Sequence, residues 1–388
     1  MLLVTAVDGP ETAEVGSVAH YQASAFNQAN PDPADLAQIN WEVRCDGVRV
    51  SRSMAAGPTL DVSIAPDYAG RTLLVMPFAN SPTERVSAKT AISGPEQQIV
   101  EPATVSISVD GQRYSAQINN GPAFFVGNDV SYQSLRGLMN TTPGTDIFTP
   151  EDYQEQFGIW ANLIAPTAMC ESKGSFHCLN TYDRAAFTFG FMQDAAHEPD
   201  ENFVLLLRRF LLLKDAQFYF PDLILQNAHI SQKTPGGAVQ LENDTSSQGL
   251  MSYLNPDPDA VCQQEAEVAA KFVHWAENNP ENRATQVAFT IEQQRQKYAS
   301  YARRYNLNGT KDSVCIVVAD IRHQGRAKSS VIEQALKASD PLNALLDIGS
   351  TTYASRIETL RQEIEKMTAA GILGKHVYNL EKQDFVAA

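Results

Sequence analysis

Cys170-Glu-Ser-Lys-Gly-Ser-Phe-His-Cys-Leu-Asn-Thr-Tyr-Asp-Arg-Ala-Ala-Phe-Thr-Phe-Gly-Phe-Met-Gln193 decides how the second half of this chain is read. It follows a segment of helical spacing. Tyr153, Phe157, Trp160 and Ile164 recur at intervals of four, three and four, which predicts one helix with a single apolar face. Thr149 as N-cap, Pro150 at the first helical position and Asp152 in the first turn mark its start. Past Gly174 the residues change to a turn-rich run around Asn180, Tyr182 and Asp183, and Phe187, Phe189 and Phe191 then alternate past Gly190, the pattern of a β-hairpin. A Glu at a helix end facing a small hairpin that bears an Asp is a way to set two carboxylates across a cleft. Such a pair suits acid–base chemistry on a glycosidic bond: one carboxyl protonated to donate to the leaving oxygen, one ionised to activate water or attack the anomeric carbon.

Upstream, the first 95 residues read as β-structure. Ile39, Trp41, Val43 and Cys45 alternate with polar residues up to Asp46-Gly47, a tight-turn signal before Val48 and Val50. Tyr21, Ala23 and Ala25 alternate similarly, as do Leu60, Val62 and Ile64, and residues 72–78 form a more buried run that ends at Pro77. Residues 93–98 read as a linker, and 104–118 as a hairpin closed by Asp110-Gly111. Beyond Thr149 the chain is mostly helical, with helices expected over 200–213, 260–277, 290–305, 330–338 and 353–370. The expected fold class is multidomain: an all-β sandwich over 1–95, a linker and hairpin over 96–144, and an α+β, mainly helical domain with a small β-hairpin over 145–388. A chain starting near Val100 is expected to keep its helical core.

Composition sets the outer bounds. With 388 residues, 43% hydrophobic and 19% charged, the chain has the apolar content for two or three folded units. The net charge of −15 weighs against phosphate backbones, so no nucleic acid is expected as a partner. The longest apolar run, 203–213, is interrupted by Arg208 and Arg209 and is shorter than the roughly 20 residues of a membrane span, so no membrane insertion is expected. The first residues lack the basic region and sustained apolar stretch of a signal peptide, and synthesis in the cytoplasm is the expectation. Residues 1–144 and the remainder carry −6 and −9, an even division in sequence.

On the residues of the opening stretch, the chain resembles the lysozyme superfamily. Phage-type lysozymes and the related chitosanases place a catalytic Glu at a helix C-terminus, then an Asp on a β-hairpin, then a Thr followed by x-Gly. Glu171 matches the acid, Asp183 the second carboxylate, and Thr188-Phe189-Gly190 the Thr-x-Gly element. Residues 183–190 are similar to the chitosanase hairpin, and Gly190-Phe-Met-Gln193 to the Gly-x-Met-Gln of lytic transglycosylases. The twelve-residue step from Glu171 to Asp183 lies between phage-type lysozymes and chitosanases. The likeness of fold covers the chain from about residue 145 onward; its specific motif covers only about 24 residues.

The resemblance implies a hydrolase of β-1,4 linkages in peptidoglycan that uses no cofactor and no metal. Glu171 would be the general acid, kept protonated by partial burial near Phe and Trp side chains. Asp183 would be the base or electrostatic stabiliser and Thr188 would position water, with Tyr182, Gln193 and His197 lining the sugar cleft. The strands of 1–95 resemble Ig-like modules of bacterial surface and effector proteins, and the whole resembles cell-wall effectors of type VI secretion. That likeness implies a secretion apparatus and a cognate immunity protein as partners, and delivery to the periplasm of a target cell. A chitosanase and a non-catalytic adhesin or assembly module are the alternatives.

Three readings of Cys170 and Cys178 stay open: a disulfide that rigidifies the Glu171 loop, two thiols, or zinc bound with His177 and Glu171. Tyr219 and Tyr253 are candidates for stacking on sugars or for the core. Asp320, Arg322 and His323 either orient substrate or pair internally.

Overall fold

Asp46 and Gly47 adopt φ of 47° and 86°, and this left-handed pair closes the turn between strands Asn40–Cys45 and Val48–Ser53. Ile39, Trp41, Val43 and Cys45 are buried, as their alternation requires. The computed structural model describes residues 2–64, 68–79, 85–93, 101–227 and 229–388; the expected linker lies, from residue 94, outside them. By contact the chain forms two units, Met1–Ile147 with Ser175–Phe289, and Phe148–Gly174 with Thr290–Ala388. The expected domains were continuous stretches of sequence, whereas these units interleave.

In the first unit, the N-terminal strands form two sheets in a sandwich-like arrangement. One contains Val4–Asp8, Val18–Phe26 and Thr59–Ser63; the other runs in the order Thr12–Glu14, Ala88–Ser93, Thr72–Phe78, Asn40–Cys45, Val48–Ser53. Tyr21 on the first meets Thr90 on the second, hydroxyl to hydroxyl at 2.7 Å. The Thr72–Phe78 strand continues one residue past Pro77, whose pairing partner is Trp41.

The hairpin Val105–Asp110 with Arg113–Ile118 is present. It does not stand alone. Phe124–Tyr132 and Leu135–Asn140 extend it, and the two-residue strands Leu179–Asn180, Thr188–Phe189 and Asp194–Ala195 complete a seven-stranded antiparallel sheet. The expected small hairpin is therefore the margin of a larger sheet. Phe187, Phe189, Phe203 and Phe272 meet with ring centroids 5.0 to 6.3 Å apart, and Phe210 and Trp275 continue the cluster. A three-stranded sheet, Leu223–Gln226, His229–Thr234 and Gly237–Gln240, interrupts the stretch expected to be helical.

Helix Asn202–Phe210 is buried from Phe203 to Phe210, including two arginines. Arg208 lies against the buried Glu242 (Nε to Oε1 3.0 Å, Nη2 to Oε2 2.7 Å) and against Asp200 at 3.0 Å. It also donates to the carbonyl of Arg49, 3.2 Å away on the Val48–Ser53 strand. Arg49 in turn pairs with Asp200 and Asp244. Charge thus ties the sandwich to the helix inside one unit.

The second unit contains the predicted helix start, with one difference. Pro150–Phe157 ends at Gly158, φ 57°, and a separate helix, Ile159–Ser172, follows. The 4-3-4 apolar spacing crosses that break because both pieces bury residues, but they are two helices. Ile159–Ser172 is buried from Trp160 to Ala168, as suits an element surrounded by others. Around it stand the later part of Pro280–Tyr305, then Asp312–Gln324, Ser329–Ala335, Pro341–Leu346 and Ala354–Ala369, and the hairpin His376–Asn379 with Asp384–Ala387. Trp160, Tyr298, Tyr378 and Phe385 form its aromatic centre, and Trp160 Nε1 donates to Asp384 at 2.7 Å. Charge divides with the units. The second holds 15 acidic and 15 basic residues, so the whole −15 falls on the first, a division that the linear halves conceal. Among the described residues no helix is long and apolar enough to cross a membrane.

Candidate active site

Glu171 sits one residue before the end of Ile159–Ser172, where Lys173 caps the helix in the left-handed conformation. Its side chain is 17% exposed, so it can be reached from outside. Arg356, from Ala354–Ala369, approaches Oε1 at 2.7 Å, and His323 Nε2, from Asp312–Gln324, approaches the same oxygen at 3.3 Å. Both of these closest approaches fall on Oε1. The same Arg356 nitrogen lies 2.7 Å from Asp320, whose other oxygen takes Arg326 at 2.5 Å. Asp320 is wholly buried, so it pairs internally.

The electrostatics run opposite to the expectation for the acid. Burial alone raises the Glu171 pKa, but the hydrogen bond and charge of His323 and the charge of Arg356 outweigh it and lower the carboxyl to about 2. A guanidinium and an imidazole face it, and the resting group is ionised. Burial also works against the charge of Arg356, and Glu171 and Asp320 together more than restore it, raising that guanidinium above its ordinary value.

The other sequence-predicted residues belong to the first unit. Asp183 closes the turn after Leu179–Asn180: Oδ1 accepts from Ala185 N at 2.8 Å and Oδ2 from Asn180 Nδ2 at 3.0 Å. Tyr182 is half-buried, its ring 6.5 Å from that of Tyr132, and burial with the nearby Asp183 pushes its phenol up. Thr188 is buried, paired in register with Asn180 and Ala195. Gln193 folds back to donate to the carbonyls of Cys178 and Gly190 at 3.1 and 3.0 Å. Gly190, φ 88°, leaves no room for a side chain: a Cβ there would lie 2.6 Å from Gln286 Oε1. His197 Nε2 lies 3.1 Å from Glu198. Tyr219 and Tyr253 are buried, bonded to His274 and Asp222 respectively.

Cys170 is a thiol here, its Sγ donating to the Arg356 carbonyl at 3.5 Å, and Cys178 is a thiol too, so of the three open readings the structure takes the two thiols. Burial first and the charge of Asp320 next push that thiol up to about 12, which favours the protonated form over the thiolate. Among the described residues no three His, Cys, Asp or Glu converge as metal ligands, which removes the geometric basis for the zinc reading.

Sequence reasoning missed Arg356, Arg326 and Glu265. Glu265, on Gln263–Asn278, is wholly buried beneath the predicted turn, where its Oε1 accepts from Thr181 Oγ1 and from Leu138 N. Burial raises its carboxyl to about 7 despite those bonds. A folded-state pKa above the ordinary value of 4.5 means that its contribution to stability is fully present below pH 4.5 and is lost as pH rises through 7. The expected loss is about 3 kcal/mol. Urea midpoints from pH 4 to 9 should decline accordingly, and Glu265→Gln should flatten the decline; parallel pH profiles would refute it. No family model, curated protein or solved structure matches this chain.

Proposed function

We propose that the chain is a lysozyme-like glycoside hydrolase that cleaves β-1,4 linkages of peptidoglycan, with an Ig-like module preceding a lysozyme-like fold. Delivery as an antibacterial effector, with a secretion apparatus and a cognate immunity protein as partners, belongs to the same proposal. The observation that carries it is the Glu171 carboxylate: at a helix end, partly exposed, and held through Oε1 by Arg356 and His323. Oε2 is the oxygen that would meet a glycosidic oxygen.

To donate a proton, Glu171 must first take one, and its partners provide a way. Arg356 reaches Glu171 and Asp320 with one nitrogen, so it can withdraw from Glu171 and keep its charge paired on Asp320. Both His323 and Arg356 lower the carboxyl, His323 the more, so it rises toward the range in which it binds a proton when Arg356 withdraws and His323 gives up its bond as well. Arg356 is thus a positioning residue rather than a catalytic one. Asp183 would act as base or stabiliser, a role that suits an acceptor already oriented by two donors. Thr188 would position the attacking water, and Tyr182, Gln193 and His197 would line the sugar site.

The test is product analysis on purified peptidoglycan and, in parallel, on chitosan. New reducing sugar ends from peptidoglycan are expected; products from chitosan alone would make the chain a chitosanase, and none from either would leave a non-catalytic module. Asp183→Asn should lower turnover by about 10²-fold or more. Unchanged turnover would move the base to Asp194, because Asp320 is wholly buried against two arginines.

A further inference from the structure

The second unit encloses a cleft of about 960 Å³ beside the start of Asp312–Gln324. Lys311, Ser313 and Val314 line it, whereas His323, near the other end of that helix, touches Glu171. From Asp312 to His323 the helix rises about 16 Å at 1.5 Å per residue. The cleft is therefore a second site, separate from the carboxylate that the proposed chemistry uses.

Its wall carries the cations Arg304, Lys311 and Lys337. Elsewhere in this unit Arg326 and Arg356 are held by carboxylates, yet among the described residues none of these three makes an ion pair. All three are exposed. Two acids share the wall, Glu333 and Asp340, the latter turned toward Asn343 at 2.7 Å. Leu307, Val314, Leu336 and Leu342 add apolar surface.

We propose that this cleft binds a short acidic peptide that carries free carboxylates and at least one amine. Three cations against two acids call for a ligand of net negative charge, and the acids call for a positive group on it. A neutral glycan would leave every charge unanswered, and a small inorganic anion would leave Glu333 and the leucines unused. The volume lies at the upper end of small-ligand pockets and has room for several residues. The biological source rests on the proposed hydrolase reading, since peptidoglycan bears such peptides as side arms on its sugars. An extended arm of four or five residues reaches about 13–18 Å, comparable to the rise of about 16 Å between Asp312 at the cleft end of that helix and His323 at the other.

The test is calorimetric titration of the full chain with the synthetic tetrapeptide L-Ala-γ-D-Glu-diaminopimelate-D-Ala, with inorganic phosphate and with capped trialanine. Saturable binding of the tetrapeptide alone is expected, weakened at least tenfold by Arg304→Ala with Lys337→Ala, and unchanged by Glu171→Gln. Melting curves check the folding of each variant, and Lys311→Glu serves if the double variant unfolds. No tetrapeptide binding, binding indifferent to these substitutions, or phosphate binding as tightly as the peptide would each overturn the proposal. The same titration with a disaccharide-linked tetrapeptide separates the sources: tighter binding identifies the wall-borne arm, equal binding a free peptide. Binding requires no turnover, so peptide capture without glycan cleavage sinks the hydrolase and keeps the cleft, and cleavage without capture does the reverse.

Discussion

Glu171→Gln is expected to lower turnover on peptidoglycan by roughly 10²- to 10⁴-fold, because the amide is isosteric but has no proton to give the leaving oxygen. The fold should survive. Removing the carboxylate takes one partner from Arg356, but Asp320 still holds that guanidinium at 2.7 Å, so no buried charge is orphaned. The folded-state pKa of Glu171 is depressed, so its stabilisation is present above about pH 4.5 and is lost as pH falls through about 2. At neutral pH the substitution should therefore cost no more than about 3 kcal/mol. A folded variant with wild-type turnover would remove Glu171 from the chemistry.

Arg208→Ala should have the largest effect on stability, about 3–5 kcal/mol. Among the described residues the substitution leaves the wholly buried Glu242 carboxylate with His229 and the amide of Ile230 as its polar partners, and it opens a cavity beside Asp200. Against a typical domain stability of about 5–15 kcal/mol, that is enough to bring the unit near its unfolding midpoint at 37 °C. Arg208→Lys should recover part of the loss at most, since an ammonium keeps the charge but cannot span both carboxylate oxygens. Urea denaturation of the three proteins measures this directly. The same network reverses the sequence expectation for a chain starting near Val100. Such a chain lacks Arg49 and the strand beside the Asn202–Phe210 helix, so it should aggregate or unfold; a monomeric, cooperatively melting truncation would contradict this.

How much of this was legible depended on how local the cause was. The strand pair around Asp46-Gly47 could be read because alternation and turn chemistry lie within fourteen consecutive residues. The seven-stranded sheet could not, since its decisive pairing sets Met139 opposite Asn180, and strands of two residues have no period to detect. Gly158 was overlooked because apolar spacing continues across it. Glu171 was found at its helix end by motif, but its ionisation was misjudged because His323 and Arg356 come from distant helices. Arg356 did leave a signal: with Leu360 and Ile364 it forms an i, i+4, i+8 series on the buried stripe of Ala354–Ala369, where an arginine requires a carboxylate partner. Glu265 left a weaker one, a carboxylate in the first turn of Gln263–Asn278, where acids are ordinary.

The interleaving of the two units has a temporal side. A ribosome releases Glu171 about 185 residues before Arg356, an interval of roughly 10–40 s at 5–20 residues per second. At its start the Ile159–Ser172 helix, apolar over most of its surface, waits without the helices that later enclose it, and to its end it lacks Ala354–Ala369. A nascent chain at this stage exposes Trp160, Leu163 and Ile164 and is the form most open to aggregation or to chaperone capture. The carboxylate proposed for catalysis gains Arg356 only when the last tenth of the polypeptide emerges, some 33 residues after His323, so the order of synthesis itself delays completion of the Glu171 site until the chain is nearly finished.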